Sequence, residues 1–300
     1  MSKKRPHLLD IIVCTYEREE LLLDCIDSLT SQNAITEDWG IIIVNNSKAL
    51  FAKNTLSILE KVEHLTVVNE AESGLSNARN TGISHSNAAW LCFFDDDAKA
   101  PEDFVSKIID NIETENWDCF GGHIQSWWKY GRPRWLNESY GSKPKLENSK
   151  TILSTGHNWG SNIIIKKSCL QHINGFPTHI GMKGTKLGYA AENIVQDKLR
   201  AQGYIIGYDP DLTIDHVVMS QKLKLTWHIQ SAYATGRDGR SVYPDQYSTI
   251  GILKSLKNCI SRPAKGLLKL ATSKNYYWEH LVLDIGCTWS LLFGKLRSII

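Results

Sequence analysis

The chain has 300 residues, enough to bury a large core in one extended domain or two smaller ones, and its 42% hydrophobic content excludes a disordered chain. Its 34 Lys and Arg against 32 Asp and Glu leave a net charge of +2, which gives no reason to expect nucleic acid as a partner. That charge is unevenly spread: residues 251–300 hold eight Lys or Arg against Glu279 and Asp284, a net of +6, while the first 250 residues stand at −4.

The basic start, Met1 to Arg5, is followed by the run Leu8 to Cys14, which Asp10 interrupts, so the spacing reads as a first strand and not as a signal peptide. Leu8–Thr15 is that strand, and Glu19–Thr30 is a helix with Leu22, Cys25, Ile26 and Leu29 on one face. Ile41–Val44 reads as a second strand, Ala49–Glu60 as a helix, Leu65–Val68 as a third strand and Leu75–Ser84 as a helix. Trp90–Phe94 is the fourth strand, and a further helix begins at Pro101. Short apolar runs alternating with amphipathic ones at this pace predict βαβ units and a parallel sheet.

From Trp117 the pattern loosens. Trp127, Trp128, Tyr130, Trp135 and Tyr140 fall in a stretch containing Gly and Pro, either as a minor core or as a platform for stacking on sugar rings. Asn162–Lys166 reads as a strand, Ala190–Gln202 as a helix that Gly203 ends, and Ile205–Tyr208 and Leu212–Val217 as two strands. The residues after Gly251 read as helical, interrupted at Pro263. Seven scattered cysteines with no metal-ligand spacing point to a reducing compartment, and no stretch reaches the ~18 uncharged apolar residues of a membrane span.

The chemistry concentrates at Phe94-Asp95-Asp96-Asp97, three carboxylates released at the carboxyl end of a strand buried on both faces, where open α/β sheets bind ligands. Like charges this close need a positive partner: a divalent cation, a nearby Arg or Lys, or solvent. The alternative is a loop acid capping the helix that follows.

Several ordered motifs accompany the triplet. They are Val13-Cys14-Thr15-Tyr16-Glu17-Arg18, Val44-Asn45-Asn46-Ser47, Gly74-Leu75-Ser76-Asn77-Ala78-Arg79-Asn80, Gly160-Ser161-Asn162, Asn174-Gly175-Phe176-Pro177 and Ala191-Glu192-Asn193. Over residues 8–220 their order resembles the inverting nucleotide-sugar glycosyltransferases of family two, with the A-type fold (GT-A).

The resemblance implies a Rossmann-like, mostly parallel sheet flanked by helices, with a C-terminal helical extension. It gives a nucleotide-sugar-binding half at 1–120 and an acceptor-binding and catalytic half at 121–250, while charge and apolar periodicity make residues 251–300 a basic amphipathic helical tail. It implies a nucleoside-diphosphate-sugar donor, a UDP-sugar favoured, and Mn²⁺ or Mg²⁺. By carry-over, Thr15, Tyr16, Glu17 and Arg18 meet the nucleotide, Asn45 stands where the family's base-binding Asp usually does, and Arg79 clamps a carboxylate or phosphate oxygen. Asp95 lies on the ribose side, Asp96 is among the nucleotide-binding residues, and Asp97 and His216 hold the metal. Thr15 or Glu17 as a helix cap and His216 as a core residue are the structural alternatives.

Inversion needs a base for the acceptor hydroxyl. The family's acidic pair reads Glu192-Asn193 here, which leaves Glu192 as the candidate and Asp197 as a weaker substitute. Asn45 and Asn193 keep open an inactive scaffold that binds nucleotide or glycan. A sugar-nucleotide pyrophosphorylase would instead need a Gly-rich basic loop after strand one, which Thr15–Arg18 is not.

The expected acceptor is a glycan or a lipid-linked saccharide. The tail stripe Trp278, Leu281, Ile285, Trp289, Leu292, Leu296 and Ile299 either packs on its own domain or lies in an anionic leaflet, at the inner face of the membrane in a cytoplasmic setting.

Overall fold

The computed structural model describes residues 8–34, 38–179, 191–238, 240 and 244–299; Met1 to Arg5, and Ala190 at the expected start of a helix, lie outside them. The early apolar runs form β1 (Leu9–Thr15), β2 (Trp39–Asn45), β3 (Leu65–Asn69) and β4 (Trp90–Asp95). The connecting helices are α1 (Glu19–Thr30), α2 (Lys53–Leu59) and α3 (Leu75–His85). Then follow β5 (Ala98–Lys99), α4 (Phe104–Thr114), β6 (Cys119–Trp127), β7 (Thr151–Ile152), β8 (Asn162–Lys166), α5 (Lys167–His172), α6 (Ala191–Ala201) and β9 (Ile206–Val217). Three longer helices close the chain: α7 (Leu225–Asp238), α8 (Thr249–Thr272) and α9 (Trp278–Ile299).

Contacts divide the chain into two compact units, Met1–Ser126 with Gly141–Val217, and Trp127–Tyr140 with Val218–Ile300. The first is built on a sheet of order β3-β2-β1-β4-β8-β6-β9-β5, with β7 paired to β9. Its first four strands are parallel, as the βαβ spacing predicts. The rest is added antiparallel, β8 on β4, β6 on β8 and β5 on β9.

Side-chain alternation along these strands makes two cores. Ile11, Val13, Ile43 and Phe94 face one side with Leu22, Leu29, Phe104 and Ile108 of α1 and α4. Ile12, Val44, Phe93 and Ile163 face the other side with Ala78, Leu170, Val195 and Leu199 of α3, α5 and α6. Burial on both faces explains why these strands read as unbroken apolar runs.

Several expectations change here. Ile205–Tyr208 and Leu212–Val217 are parts of one strand, β9, which continues through Pro210 because the Asp209 carboxylate accepts from the Asp211 N–H at 2.9 Å and from Asn111 at 2.8 Å. The loosened stretch after Trp117 opens with a nine-residue strand, β6. Gly121 and Gly122 obscure it in sequence, yet a Cβ on either would meet backbone of the neighbouring strands, at Asn162 and Leu212.

The second unit is helical. Trp135 is buried, and Trp135 and Tyr140 each sit 5.3 Å from the His228 ring of α7, so these two aromatics serve as core. Pro263 does not interrupt α8. Ser255 and Gly266, on either side of it, pack against Lys295, Leu281 and Asp284 of α9, and this packing offsets the roughly 3 kcal/mol cost of an interior proline. The α7–α9 contact is close enough that a Cβ on Gly236 would fall 2.2 Å from the Leu291 carbonyl, and one on Gly294 2.2 Å from that of Tyr233. Because α9 packs through these glycines, most of its apolar stripe is turned outward: Leu292 is buried, but Trp278, Ile285, Trp289, Leu296 and Ile299 are exposed.

Candidate active site

The strand order reverses between β1 and β4, and a sheet opens a crevice at the carboxyl ends of its strands at such a point. Register places Thr15 beside Asn45, and Cys14 beside Asp95, so the carboxyl ends of β1, β2 and β4 lie level. Two antiparallel pairings complete the rim. Phe94 pairs with Asn162, which brings Gly160 and Ser161 near, and Ala98 pairs with His216, which returns that imidazole to the acidic triplet.

The three aspartates have separate surroundings. Asp96 is fully buried, accepts from the Thr15 hydroxyl at 2.6 Å and is held by the Arg18 guanidinium. Burial pushes its carboxyl up to about 7, against the lowering pull of Arg18. Arg18 also donates to Asp97 at 2.9 Å. Burial acts to raise Asp95 as well, but a hydrogen bond from His216 and the charge of Arg79 hold it below the usual carboxylate range. His216 Nε2 lies 3.2 Å from Asp97 Oδ1 and 3.6 Å from Asp95 Oδ2.

Asp95, Asp97 and His216 thus offer two carboxylate oxygens and an imidazole nitrogen, all within 4.8 Å of one another. Ligand atoms of a single ion with bonds of roughly 2.0–2.2 Å lie up to about 4.4 Å apart, close to that limit, and carboxylate oxygens suit a hard divalent cation. The donor set fits a divalent cation. In sequence Asp95 belongs to the ribose side; the geometry also puts it in this cluster.

Arg79 is 3% exposed, yet lies against the open rim. Its Nη2 donates to the Gly160 carbonyl at 2.9 Å and sits 3.7 Å from Asp95 Oδ1, and its plane rests 5.1 Å from the Phe176 ring. Its Nη1 is buried with no partner among the described residues. An orphaned guanidinium N–H is costly and marks a place for an anionic oxygen. Asn80 fixes this helix by donating to the Phe176 carbonyl at 2.9 Å and accepting from its N–H at 2.8 Å, which ties the motif at Asn174–Pro177 to the one at Gly74–Asn80.

Glu192, half-buried at the start of α6, flanks the same glycine: a Cβ on Gly160 would lie 3.0 Å from Arg79 Nη2 and 3.3 Å from Glu192 Cδ. Gln196 pins α6 to the preceding loop by accepting from the Asn158 N–H at 2.7 Å and donating to its carbonyl at 3.0 Å. The Gly160-Ser161-Asn162 motif is legible in sequence, but sequence reasoning missed Gln196 and Asn158, whose contact joins distant segments and has no pattern along the chain. Asp197 points elsewhere, 2.7 Å from His157 and 3.0 Å from Arg200.

The remaining candidates lie on the β1 and β2 loops. Tyr16 is half-buried, and Glu17 is exposed with φ 54°, a left-handed conformation that a non-glycine residue adopts only when its surroundings impose it. The Asn45 amide turns into its own loop: its oxygen accepts from the Ser47 N–H at 3.1 Å, and its NH₂ donates to the Ala49 carbonyl at 2.9 Å.

The model of the family described as Glycosyl transferase family 2 matches residues 10–173, more than half of the chain and the part that carries this crevice. The chain belongs to glycosyl transferase family 2 and is a glycosyltransferase of the GT-A fold. It is 21% identical over 280 residues to the glucosyl-dolichyl phosphate glucuronosyltransferase of Haloferax volcanii, covering 85% of this chain and 88% of the relative. It is 21% identical to the succinoglycan biosynthesis protein ExoM of Rhizobium meliloti, covering 76% and 73%. A mannosyltransferase of Pyrobaculum calidifontis, solved with GDP-Man and Mn²⁺, superposes with a TM-score of 0.61 at 16% identity, over 98% of this chain and 88% of that one. At that identity the likeness is one of fold.

Proposed function

We propose that the site transfers a sugar from a nucleoside-diphosphate donor to an acceptor hydroxyl with inversion, during glycan or polysaccharide assembly. The observation that carries the reading is the convergence of Asp95, Asp97 and His216 beside a buried guanidinium with one unpartnered nitrogen. The named relatives include a glucosyl-dolichyl phosphate glucuronosyltransferase and a succinoglycan biosynthesis protein, and the fold neighbour was solved with GDP-Man and Mn²⁺.

In this reading the nucleotide lies across the β1–β4 crevice, with Thr15, Tyr16, Glu17, Arg18, Asn45 and Asp96 on its side of the site. Asp97, His216 and Asp95 would hold a divalent cation, and such an ion would supply positive charge against the departing diphosphate. Arg18 holds Asp97 through Oδ2 alone, which leaves Oδ1, the oxygen beside His216, as the one that would meet a cation. Arg79 directs its free N–H at a donor oxygen.

Glu192 accepts the proton of the acceptor hydroxyl as that oxygen attacks the anomeric carbon. The anomeric C–O bond breaks on the opposite face, and its electron pair leaves with the nucleoside diphosphate. The acceptor is a glycan or a lipid-linked saccharide, and the setting is cytoplasmic, at the inner face of the membrane.

The test is calorimetric titration of UDP and GDP with and without Mn²⁺, followed by single-turnover assays with matching sugar nucleotides. Metal-dependent binding of one diphosphate, abolished in Asp97→Ala, is expected. Equal binding in excess EDTA would overturn the metal role. Product that retains the donor's anomeric configuration would overturn inversion.

A further inference from the structure

The helix α8 has two apolar sides, and only one is covered. Ser255, Cys259 and Gly266 mark the packed side, while Ile250, Leu253, Ile260, Leu267 and Leu268 lie on the opposite one. Those five are 59–68% exposed, in a row that runs most of the length of the helix. Large aliphatic side chains in such a row are costly in water and mark an interaction surface.

The charge around this row identifies what covers it. Lys254, Lys257, Arg262, Lys265, Lys269 and Lys274 are all exposed. The two acids between residues 251 and 299 do not answer them. Glu279 is buried, 3.2 Å from Arg134, and Asp284 is partly buried and accepts from the Tyr276 hydroxyl at 2.5 Å. The outside of this segment is therefore aliphatic and cationic together.

A second copy of the chain docked α8 to α8 would bring like charges face to face, whereas an anionic lipid surface satisfies both features at once. Beside α8, α9 adds exposed Trp278, Trp289 and Phe293, aromatics suited to headgroup depth. No helix among the described residues is long and apolar enough to cross a membrane.

We infer that the helical unit docks on an anionic bilayer, with the aliphatic row of α8 inserted at the interface and its lysines on the headgroup phosphates. The inference rests on the proposed function only for its use, which is to hold the enzyme at the surface that presents a lipid-linked acceptor. It makes α8 the principal face, in place of the α9 stripe that the sequence offered as one of two alternatives.

The test is flotation of the full chain with vesicles of phosphatidylcholine alone and of phosphatidylcholine mixed with phosphatidylglycerol, at low and high salt. Two variants are compared with wild type, Leu253→Ser/Ile260→Ser/Leu267→Ser and Lys254→Gln/Lys257→Gln/Lys265→Gln, each checked by circular dichroism and thermal melting. Wild type should float with the anionic vesicles only, and high salt should weaken that binding, as screening requires. Each variant should lose at least about tenfold in partition coefficient while keeping its melting temperature.

Equal binding to neutral vesicles, no binding by wild type, or undiminished binding by the aliphatic variant would each overturn the inference. Wild-type self-association that this variant abolishes, without vesicle binding, would reassign the face to a contact between copies. Nucleotide titration of the same proteins reports on the transfer site independently, so either reading can fail alone.

Discussion

The two units break the usual rule of burial in opposite directions. The sheet unit takes charges inside: Asp96, Asp97 and Arg79 are buried. The helical unit leaves aliphatics outside: Ile250, Ile260 and Leu268 are about two-thirds exposed. Each departure has a free-energy cost in the isolated protein, and each points to a missing counterpart of opposite chemistry. The buried charges call for a ligand that is itself charged; the exposed aliphatics call for an apolar, anionic phase. The helical unit also holds a cavity of ≈ 360 Å³, lined by Trp227, Ser255, Arg262 and Leu291.

The comparison breaks first, and most severely, at the acidic cluster. Asp97→Ala removes one of three converging ligand atoms, so transfer should fall below detection and Mn²⁺ should no longer stabilise the protein in thermal melts. Excess EDTA should do the same to wild type. Full turnover by either would mean that the buried charges are structural.

Next in size, Glu192→Gln keeps the shape and removes the base, so turnover should fall by ~10²–10⁴ with calorimetric donor affinity nearly unchanged. Asp197→Asn should stay active, because its carboxylate is engaged with His157 and Arg200 away from Gly160. The reverse pattern would put the base on Asp197.

A pair of leucines sharpens the contrast in stability. Leu170→Ala, fully buried against the sheet, should cost about 2–5 kcal/mol in urea unfolding. Leu267→Ala, on the open row of α8, should stay within about 0.5 kcal/mol. A large loss at Leu267 would show that the row is covered within the protein.

The smallest effect is expected at Gly160→Ala. Its methyl would crowd Arg79 and Glu192, two side chains that can give by a few tenths of an ångström. Melting temperature should barely move, while kcat/KM should fall by about tenfold, the cost of slightly misplaced groups. An unchanged kcat/KM would separate Glu192 from the reacting atoms.

What the sequence determined by itself was local and periodic. The burial of β1, β2 and β4 on both faces, the bounds of α1 and the release of three aspartates after Phe94 follow from runs of neighbouring residues, because strand and helix periods are written along the chain. The motif order from Val13 to Asn193 was legible as a resemblance to the family, and the roles of Glu192, Asp97 and His216 are what that resemblance implies.

Tertiary structure decided what depends on approach between distant segments. That His216 meets Asp97 is set by the pairing of Ala98 with His216 across β5 and β9, and that Arg79 and Glu192 share Gly160 is set by the Gln196–Asn158 and Asn80–Phe176 clamps. It also decided which of two apolar helix faces is covered. Periodicity marks a face as apolar without saying what it meets; here α7 packs on α9 through glycines while most of the α9 stripe stays exposed, and α8 packs through Ser255, Cys259 and Gly266 while its aliphatic row stays exposed.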